Sequence, residues 1–63
     1  MKLKIEIDMN NAAFDGDYEQ TYREIVFILT RFVGAITNGK SIHEAGVLRD
    51  TNGNTVGKAR VGK

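Results

Sequence analysis

Hydrophobic and charged residues alternate strictly over residues 2–8. The apolar side of this run consists of Leu3, Ile5 and Ile7, and its polar side consists of Lys2, Lys4, Glu6 and Asp8. A period of two with branched aliphatic residues is typical of a strand that is buried on one side. We therefore predict a half-buried β-strand over residues 2–8.

Residues 10–17 are predicted to form a loop, because Asn, Asp and Gly favour turns. Phe14 is too large an apolar side chain to remain in water, and we expect it to close one end of the core. Asp15 or Asp17 is suited to cap the N-terminus of a following helix, and Glu19 suits the positive first turn of that helix.

The spacing of apolar residues predicts one helix over residues 18–37. These residues recur at steps of three and four, which at about 100° per residue places them on one stripe. The stripe consists of Tyr18, Tyr22, Ile25, Val26, Leu29, Phe32, Val33 and Ile36. We expect the stripe to face a sheet, and Asn38-Gly39 to end the helix with a left-handed cap.

Two large apolar residues of this helix lie outside the stripe. Phe27 is opposite to it and Ile28 is on its flank, with Arg23 and Arg31 nearby. A two-layer fold does not need them, and burying each stabilises a protein by about 1.5–3 kcal/mol. We therefore predict a protein interface at Phe27, Ile28, Arg23 and Arg31, for a two-fold homodimer or for another protein. The alternative is that a loop or the C-terminal tail half-buries Phe27.

Two strands are predicted over residues 46–50 and 55–61, because an Asn-Gly pair between apolar runs is a strong hairpin signal. Two turns fit the connecting residues. Asn52-Gly53 can form a two-residue type I′ turn, or Asp50 can begin a type I turn that ends in a Gly53 bulge. The second is preferred, because Asp at the first position and Gly at the fourth match type I turns.

The preferred turn has a consequence for the register of the hairpin. It pairs Leu48 with Val56 and leaves Ala59 and Val61 facing away from Val56. A bulge at Gly57 would return them to the same side. The sequence leaves these two registers open.

The predicted order is β-α-β-β, with residues 40–45 as a connector without a clear pattern. One helix on a sheet that contains an antiparallel hairpin is a two-layer α+β fold, and 63 residues allow a single domain over 1–63. A core of this size supplies about 3–5 kcal/mol of net stability. The chain has no Cys, which excludes disulfides and thiolate metal sites. Oligomerisation remains as support, and we expect a homodimer.

Candidate catalytic residues are few. His43 is the one side chain that ordinarily titrates near neutral pH, with Ser41 and Glu44 as neighbours. Neighbours on a short loop rarely form a catalytic triad, so a solvated histidine is the better interpretation. One helix on a small sheet also offers little volume for a pocket that excludes water. We therefore predict that the protein is not an enzyme and needs no cofactor.

The acidic loops do not predict a metal site. Residues 50–54 resemble the opening of a calcium loop, but Thr55 and Val61 stand where that loop needs Gly and Glu. Asp15 and Asp17 are explained by helix capping.

The formal net charge of +1 is too near neutral for a bulk polyanion binder. The strands nevertheless carry a possible anion-binding or nucleic-acid-binding face: Lys2, Lys4, Arg49, Lys58 and Arg60. Phosphate or an acidic protein would fit it. Single-stranded nucleic acid fits less well, because the strands carry no aromatic residue for stacking on bases. The alternative is that these charges keep a strand soluble and block edge pairing.

No apolar run reaches the roughly 18–20 residues of a membrane span, and the alternation near the N-terminus does not match a signal peptide. We expect no membrane partner, and a protein that stays in the compartment where it is made.

Two motifs give the chain a family resemblance. Asn11-Ala12-Ala13-Phe14, and Leu48-Arg49-Asp50-Thr51-Asn52-Gly53-Asn54-Thr55-Val56-Gly57 after the helix, resemble a group of very small, mostly uncharacterised bacteriophage proteins. Members of the group often carry acidic and bulky aromatic residues after the Val-Gly pair, where this chain has Lys58-Ala59-Arg60.

The resemblance implies a phage protein that works in the host cytoplasm and carries over no catalytic residue. Small phage proteins of this kind often bind a host or defence protein stoichiometrically, as host-takeover factors and anti-defence inhibitors do, anti-CRISPR proteins among them. We therefore expect a non-catalytic phage protein that modulates a host or defence protein. The alternative is an accessory protein that binds nucleic acid through the basic sheet face.

Overall fold

A computed structural model describes residues 1–10, 14 and 16–63 of the chain. Within them lie β1 (Lys2–Ile7), α1 (Tyr18–Thr37), α2 (Ile42–Ala45), β2 (Val47–Arg49) and β3 (Thr55–Gly62). The strands form a three-stranded antiparallel sheet in the order β1-β3-β2. The α+β prediction is confirmed, and the connector contains a short helix that its sequence pattern did not indicate.

Both ends of α1 are capped by the residues that the sequence favours. The Asp17 carboxylate accepts a hydrogen bond from the Gln20 N–H at 2.9 Å, which satisfies one free donor of the first turn. Gly39 has a φ of 92°, and the Lys40 N–H donates to the Ala35 carbonyl at 3.0 Å. This is a Schellman-type end. Asp15, the other predicted cap, lies outside the described residues.

The hairpin turn is the predicted type I turn with a Gly53 bulge. The Gly53 N–H donates to the Asp50 carbonyl, and the Asp50 N–H donates to the Asn54 carbonyl, both at 3.0 Å. Gly53 has a φ of 84°, a conformation that glycine adopts at low cost. The two-residue type I′ alternative is therefore excluded.

The predicted pairing of Leu48 with Val56 is wrong by one residue. Leu48 pairs with Gly57 while Arg49 pairs with Thr55, so the register shifts between Leu48 and Arg49. Val56 is the extra residue of this bulge, and both it and Ala59 are buried. The bulge lets the two apolar side chains on β3 reach the same core.

The core consists of Phe14, Ile28, Phe32, Ala45, Leu48, Val56 and Ala59. Phe14 is buried as predicted, and its carbonyl accepts a hydrogen bond from the Thr21 hydroxyl at 3.4 Å. The side of α1 that faces the sheet is centred on Ile28, which is 1% exposed.

The helical stripe predicted to face the sheet is mostly on the surface. Phe32 is its one buried member, and Ile25 and Leu29 are half-buried. The exposed members are Tyr18, Tyr22, Val26, Val33 and Ile36. The prediction was wrong because apolar residues occupy more than half of the circumference of α1, and the sheet covers only part of that arc. Although α1 has 20 residues, no helix in the described part of the chain is long and apolar enough to cross a membrane.

The apolar side of β1 is also more exposed than predicted. Leu3 is 52% exposed and Ile5 is 41% exposed, whereas Ile7 is half-buried against the core. The main packing partners of α1 are α2 and β2, and β2 is separated from β1 by β3. The helix therefore leaves the outer part of the sheet uncovered.

Candidate functional site

The predicted interface around Phe27 and Ile28 is not an exposed apolar face. Ile28 is the most buried residue of the helix, and Phe27 is half-buried against the core. The Arg31 guanidinium lies 5.5 Å from the centroid of the Phe27 ring, and Arg23 forms an ion pair with Glu19 at 3.0 Å. The placement of Ile28 on the surface was wrong, and Phe27 is half-buried through its packing against the core.

A different row of apolar residues on α1 faces solvent, except that its central member, Leu29, is half-buried. We call it the outer stripe and define it as Tyr22, Val26, Leu29, Val33 and Ile36. Tyr22 and Val26 are each 62% exposed, and Val33 is 60% exposed. Tyr18 extends the row at its N-terminal end, with its ring centroid 6.0 Å from that of Tyr22.

The sheet contributes a second apolar area, which we call the β1 patch: Leu3, Ile5 and Val61. Leu3 pairs directly with Val61, and Ile5 with Ala59, so the patch lies on the side of the sheet that carries Leu48 and the core. All three residues of the patch are exposed. They form the part of the core side that α1 does not cover.

The outer stripe and the β1 patch lie on the same flank of the protein. Arg31 and Ala35 on α1 line a concavity with Val47 and Arg49, so that flank of the helix faces the β2 edge. The outer stripe lies on the opposite flank, since Leu29 is about 160° around the helix from Arg31. We infer that the flank with the outer stripe is on the β1 side of the helix, and we refer to the outer stripe and the β1 patch together as the L-shaped apolar surface.

A buried carboxylate helps to set the rotation of α1. Glu24 accepts hydrogen bonds from the backbone N–H of Thr51 at 2.7 Å and from the Thr51 hydroxyl at 3.2 Å. Glu24, Ile28 and Phe32 follow at four-residue steps and are the buried residues of α1. Tying Glu24 to the hairpin turn points this row inward and the outer stripe outward.

The strands bring most of the predicted cationic residues together. Lys4 pairs directly with Arg60, Glu6 with Lys58, and Lys2 with Gly62, on the side of the sheet away from α1. Glu6 contacts Arg60 at 3.8 Å, in an exposed ion pair. Arg49 lies on β2 opposite Thr55, separated from β1 by β3. We use the name cationic face for the four residues on β1 and β3, Lys2, Lys4, Lys58 and Arg60.

The acidic residues of the hairpin turn have structural partners. The Asp50 carboxylate accepts from the N–H groups of Asn52 and Asn54, both at 2.9 Å. His43 is exposed on α2. In the part of the chain that the structure describes, no group of three or more His, Asp or Glu residues could hold a metal ion. The prediction that the protein is not an enzyme stays a prediction.

Comparison with known proteins adds no further assignment: no family model, no curated protein and no solved structure matches the chain. The resemblance to small bacteriophage proteins also stays a prediction, and three residues of its first motif, at 11–13, lie outside the described residues.

Proposed function

We propose that this chain is a small non-catalytic binding protein that docks on another protein, and that the L-shaped apolar surface is where docking occurs. The observation that carries the proposal is the outer stripe, a row of aliphatic and aromatic side chains left in water on a rigid helix. Contiguous apolar patches on a protein surface commonly mark interaction sites. The resemblance to phage proteins supports a host or defence protein as the target.

The physical argument for docking is the free energy that the exposed side chains would gain. Removing apolar area from water stabilises a complex by roughly 25 cal/mol per Å² before the costs of association are subtracted. Val26 and Val33 lie on α1, whose backbone is already ordered by its own hydrogen bonds and caps. Little conformational entropy is therefore lost when a partner covers them.

Partner capture with matched variants tests this proposal. The bait is the whole chain, applied to a bacterial lysate as wild type, as Val33→Asp and as Val47→Asp. Val47 is the control, because it is also an exposed valine but pairs with Lys58 on the side of the sheet away from the core. We expect a protein that wild type and Val47→Asp retain and Val33→Asp does not. The purified protein should then bind the wild-type chain at a fixed stoichiometry in a titration. Equal retention by all three baits would contradict the proposal.

The cationic face supports a second candidate function, the binding of nucleic acid. The supporting observation is that Lys4 and Arg60 are direct cross-strand partners. Like charges in that position are destabilising in a sheet unless something compensates them. Glu6 offsets part of this charge, and a phosphate backbone would offset the rest.

Fluorescence polarisation with labelled single-stranded and double-stranded oligonucleotides tests this second candidate. We expect binding that weakens steeply between 50 and 200 mM salt, as phosphate contacts require (~10-fold or more). The double variant Lys4→Glu with Arg60→Glu should abolish it. The matched double variant Arg23→Glu with Lys40→Glu, which changes the same charge away from this face, should bind almost as wild type. No binding at low salt would remove this candidate.

A further inference from the structure

The outer stripe has the spacing with which two helices pack along a shared seam. Its residues, from Tyr22 to Ile36, follow at steps of four, three, four and three. This is the repeat of the a and d positions in a coiled coil, where apolar residues of one helix insert between those of another. No charged residue interrupts the stripe. A seam of this kind indicates a second helix of similar length as the occupant.

The free surface has the size of one half of a protein interface. The chain exposes 4821 Å². That is about 800 Å² more than the roughly 4,000 Å² expected for a compact monomer of 7.0 kDa. An interface of standard size removes about 800 Å² from each partner. The radius of gyration, 11.9 Å, likewise exceeds the roughly 10.6 Å expected for 63 residues. The chain is therefore less compact than its mass and length predict, and the exposed side chains of the outer stripe and the β1 patch contribute to this surface.

The two arms of the apolar surface are complementary to each other. A helix laid in the angle between them would contact the outer stripe on one side and the β1 patch beneath it. The chain itself supplies such a helix in α1, whose outer stripe can pack against the outer stripe of a second copy. A two-fold axis makes the two contacts equivalent.

The helix dipoles favour an antiparallel arrangement of the two α1 helices. Each α1 carries a partial positive charge at its N-terminus and a partial negative charge at its C-terminus. Antiparallel packing places opposite partial charges next to each other at both ends of the pair.

We propose that a second copy of this chain occupies the L-shaped surface, in a two-fold dimer with antiparallel α1 helices. Each α1 covers the β1 patch of the other protomer, so that both sheets are covered by two helices. This inference rests on the proposed docking function. The second copy occupies the surface until a target protein that binds the same residues displaces it. The cationic faces of both protomers stay on the outside.

Sedimentation of the whole protein tests the dimer, with three variants. Val26→Asp places a carboxylate in the outer stripe, Leu3→Asp places one in the β1 patch, and Val47→Asp is the control on β2. We expect the wild type and Val47→Asp to sediment at twice the 7.0 kDa protomer mass. Val26→Asp and Leu3→Asp should each raise the dimer dissociation constant at least 100-fold. Circular dichroism shows whether the separated protomers remain helical.

Three results would overturn the dimer. One is a wild type that stays at protomer mass up to millimolar concentration. Another is a dimer that survives both Val26→Asp and Leu3→Asp. The third is a dimer that dissociates only in Val47→Asp. A monomeric wild type that still captures a partner in the pull-down would overturn the dimer and uphold docking. A dimer that captures nothing would do the reverse.

Cysteine cross-linking tests the direction of the helices, because the chain has no Cys of its own. In the antiparallel pair, Leu29→Cys lies near the two-fold axis and should form a disulfide between protomers on mild oxidation. Tyr22→Cys and Ile36→Cys should cross-link little alone and efficiently when mixed. Efficient cross-linking of each of them with itself would show a parallel pair and overturn the antiparallel arrangement.

Discussion

The Glu24 carboxylate is the residue on which the orientation of the helix depends. It is buried beneath the hairpin turn and accepts both the backbone N–H and the hydroxyl of Thr51. A buried carboxylate is costly unless its oxygens are hydrogen-bonded, and here both are used. The carboxylate thus couples α1 to a turn 27 positions further along the chain.

We predict that Glu24→Ala lowers the free energy of unfolding by about 1–3 kcal/mol, because the Thr51 N–H loses its partner. Glu24→Gln should cost less, since its amide oxygen can still accept that hydrogen bond. Urea denaturation measures both. Glu19→Ala is the control: it removes only an exposed ion pair with Arg23, and such pairs contribute little. A stability for Glu24→Ala equal to that of Glu19→Ala would show that the turn does not anchor the helix.

Positions that act through local structure could be predicted from the sequence. Asp17 caps the helix, Phe14 closes one end of the core and Gly53 completes the turn, and the short-range pattern around each was sufficient. Ile28 was misplaced because the apolar pattern of α1 offered two inward sides. The buried row begins with a charged residue, Glu24, whose hydrogen-bond partner Thr51 lies 27 positions further along the chain.

At the scale of elements, the sheet depends on how closely β1 approaches β3. Gly57 lies between Ile7 of β1 and Leu48 of β2, at the register shift of the hairpin. A Cβ atom at Gly57 would overlap the Glu6 carbonyl oxygen, which is backbone and has little freedom to move. Glycine at position 57 therefore permits both the bulge in β3 and the close pairing of β3 with β1.

We predict that Gly57→Ala destabilises the protein by about 1–3 kcal/mol, the usual cost of forcing extra atoms into a packed site. The damage should concentrate in β1, so amide hydrogen exchange of residues 2–7 should accelerate more than that of α1. Gly62→Ala is the matched control, because a Cβ atom there meets nothing within 4 Å. Uniform acceleration across both elements would argue against a local break of β1 pairing.

The helix offers the opposite case in Gly34. It lies within α1, and a Cβ atom there would also meet nothing within 4 Å. Replacing an unconstrained helical glycine with alanine stabilises by about 0.5–1 kcal/mol, because the unfolded chain loses freedom. We predict a gain of this size for Gly34→Ala in urea denaturation. A loss instead would mean that another chain packs against Gly34, on a side of α1 outside the outer stripe.

The order of the elements followed from sequence better than their contacts did. The strand and helix periodicities placed β1, α1 and the hairpin within one or two residues, because each pattern reflects one chain segment. The register of β2 on β3 and the exposure of β1 depend on where α1 comes to rest. One helix does not cover a sheet of three strands, and no local sequence pattern indicates which strand remains uncovered.

At the scale of the whole molecule, the proposed dimer would make the measured stability depend on protein concentration. If the folded dimer unfolds to two separate chains, each tenfold increase in protomer concentration adds about 1.4 kcal/mol to its apparent stability. The free energy of unfolding falls by about 1–3 kcal/mol per molar urea, so the urea midpoint should rise by about 0.5–1.4 M for each tenfold increase in concentration. We predict this shift between 5 and 50 μM protein (about the range a fluorescence or circular dichroism titration covers).

Val26→Asp should remove the concentration dependence and Val47→Asp should keep it, because only Val26 lies in the outer stripe. If the urea midpoint of the wild type is independent of concentration, a single chain is stable with its apolar flank in water. The physical argument for the dimer would then fail.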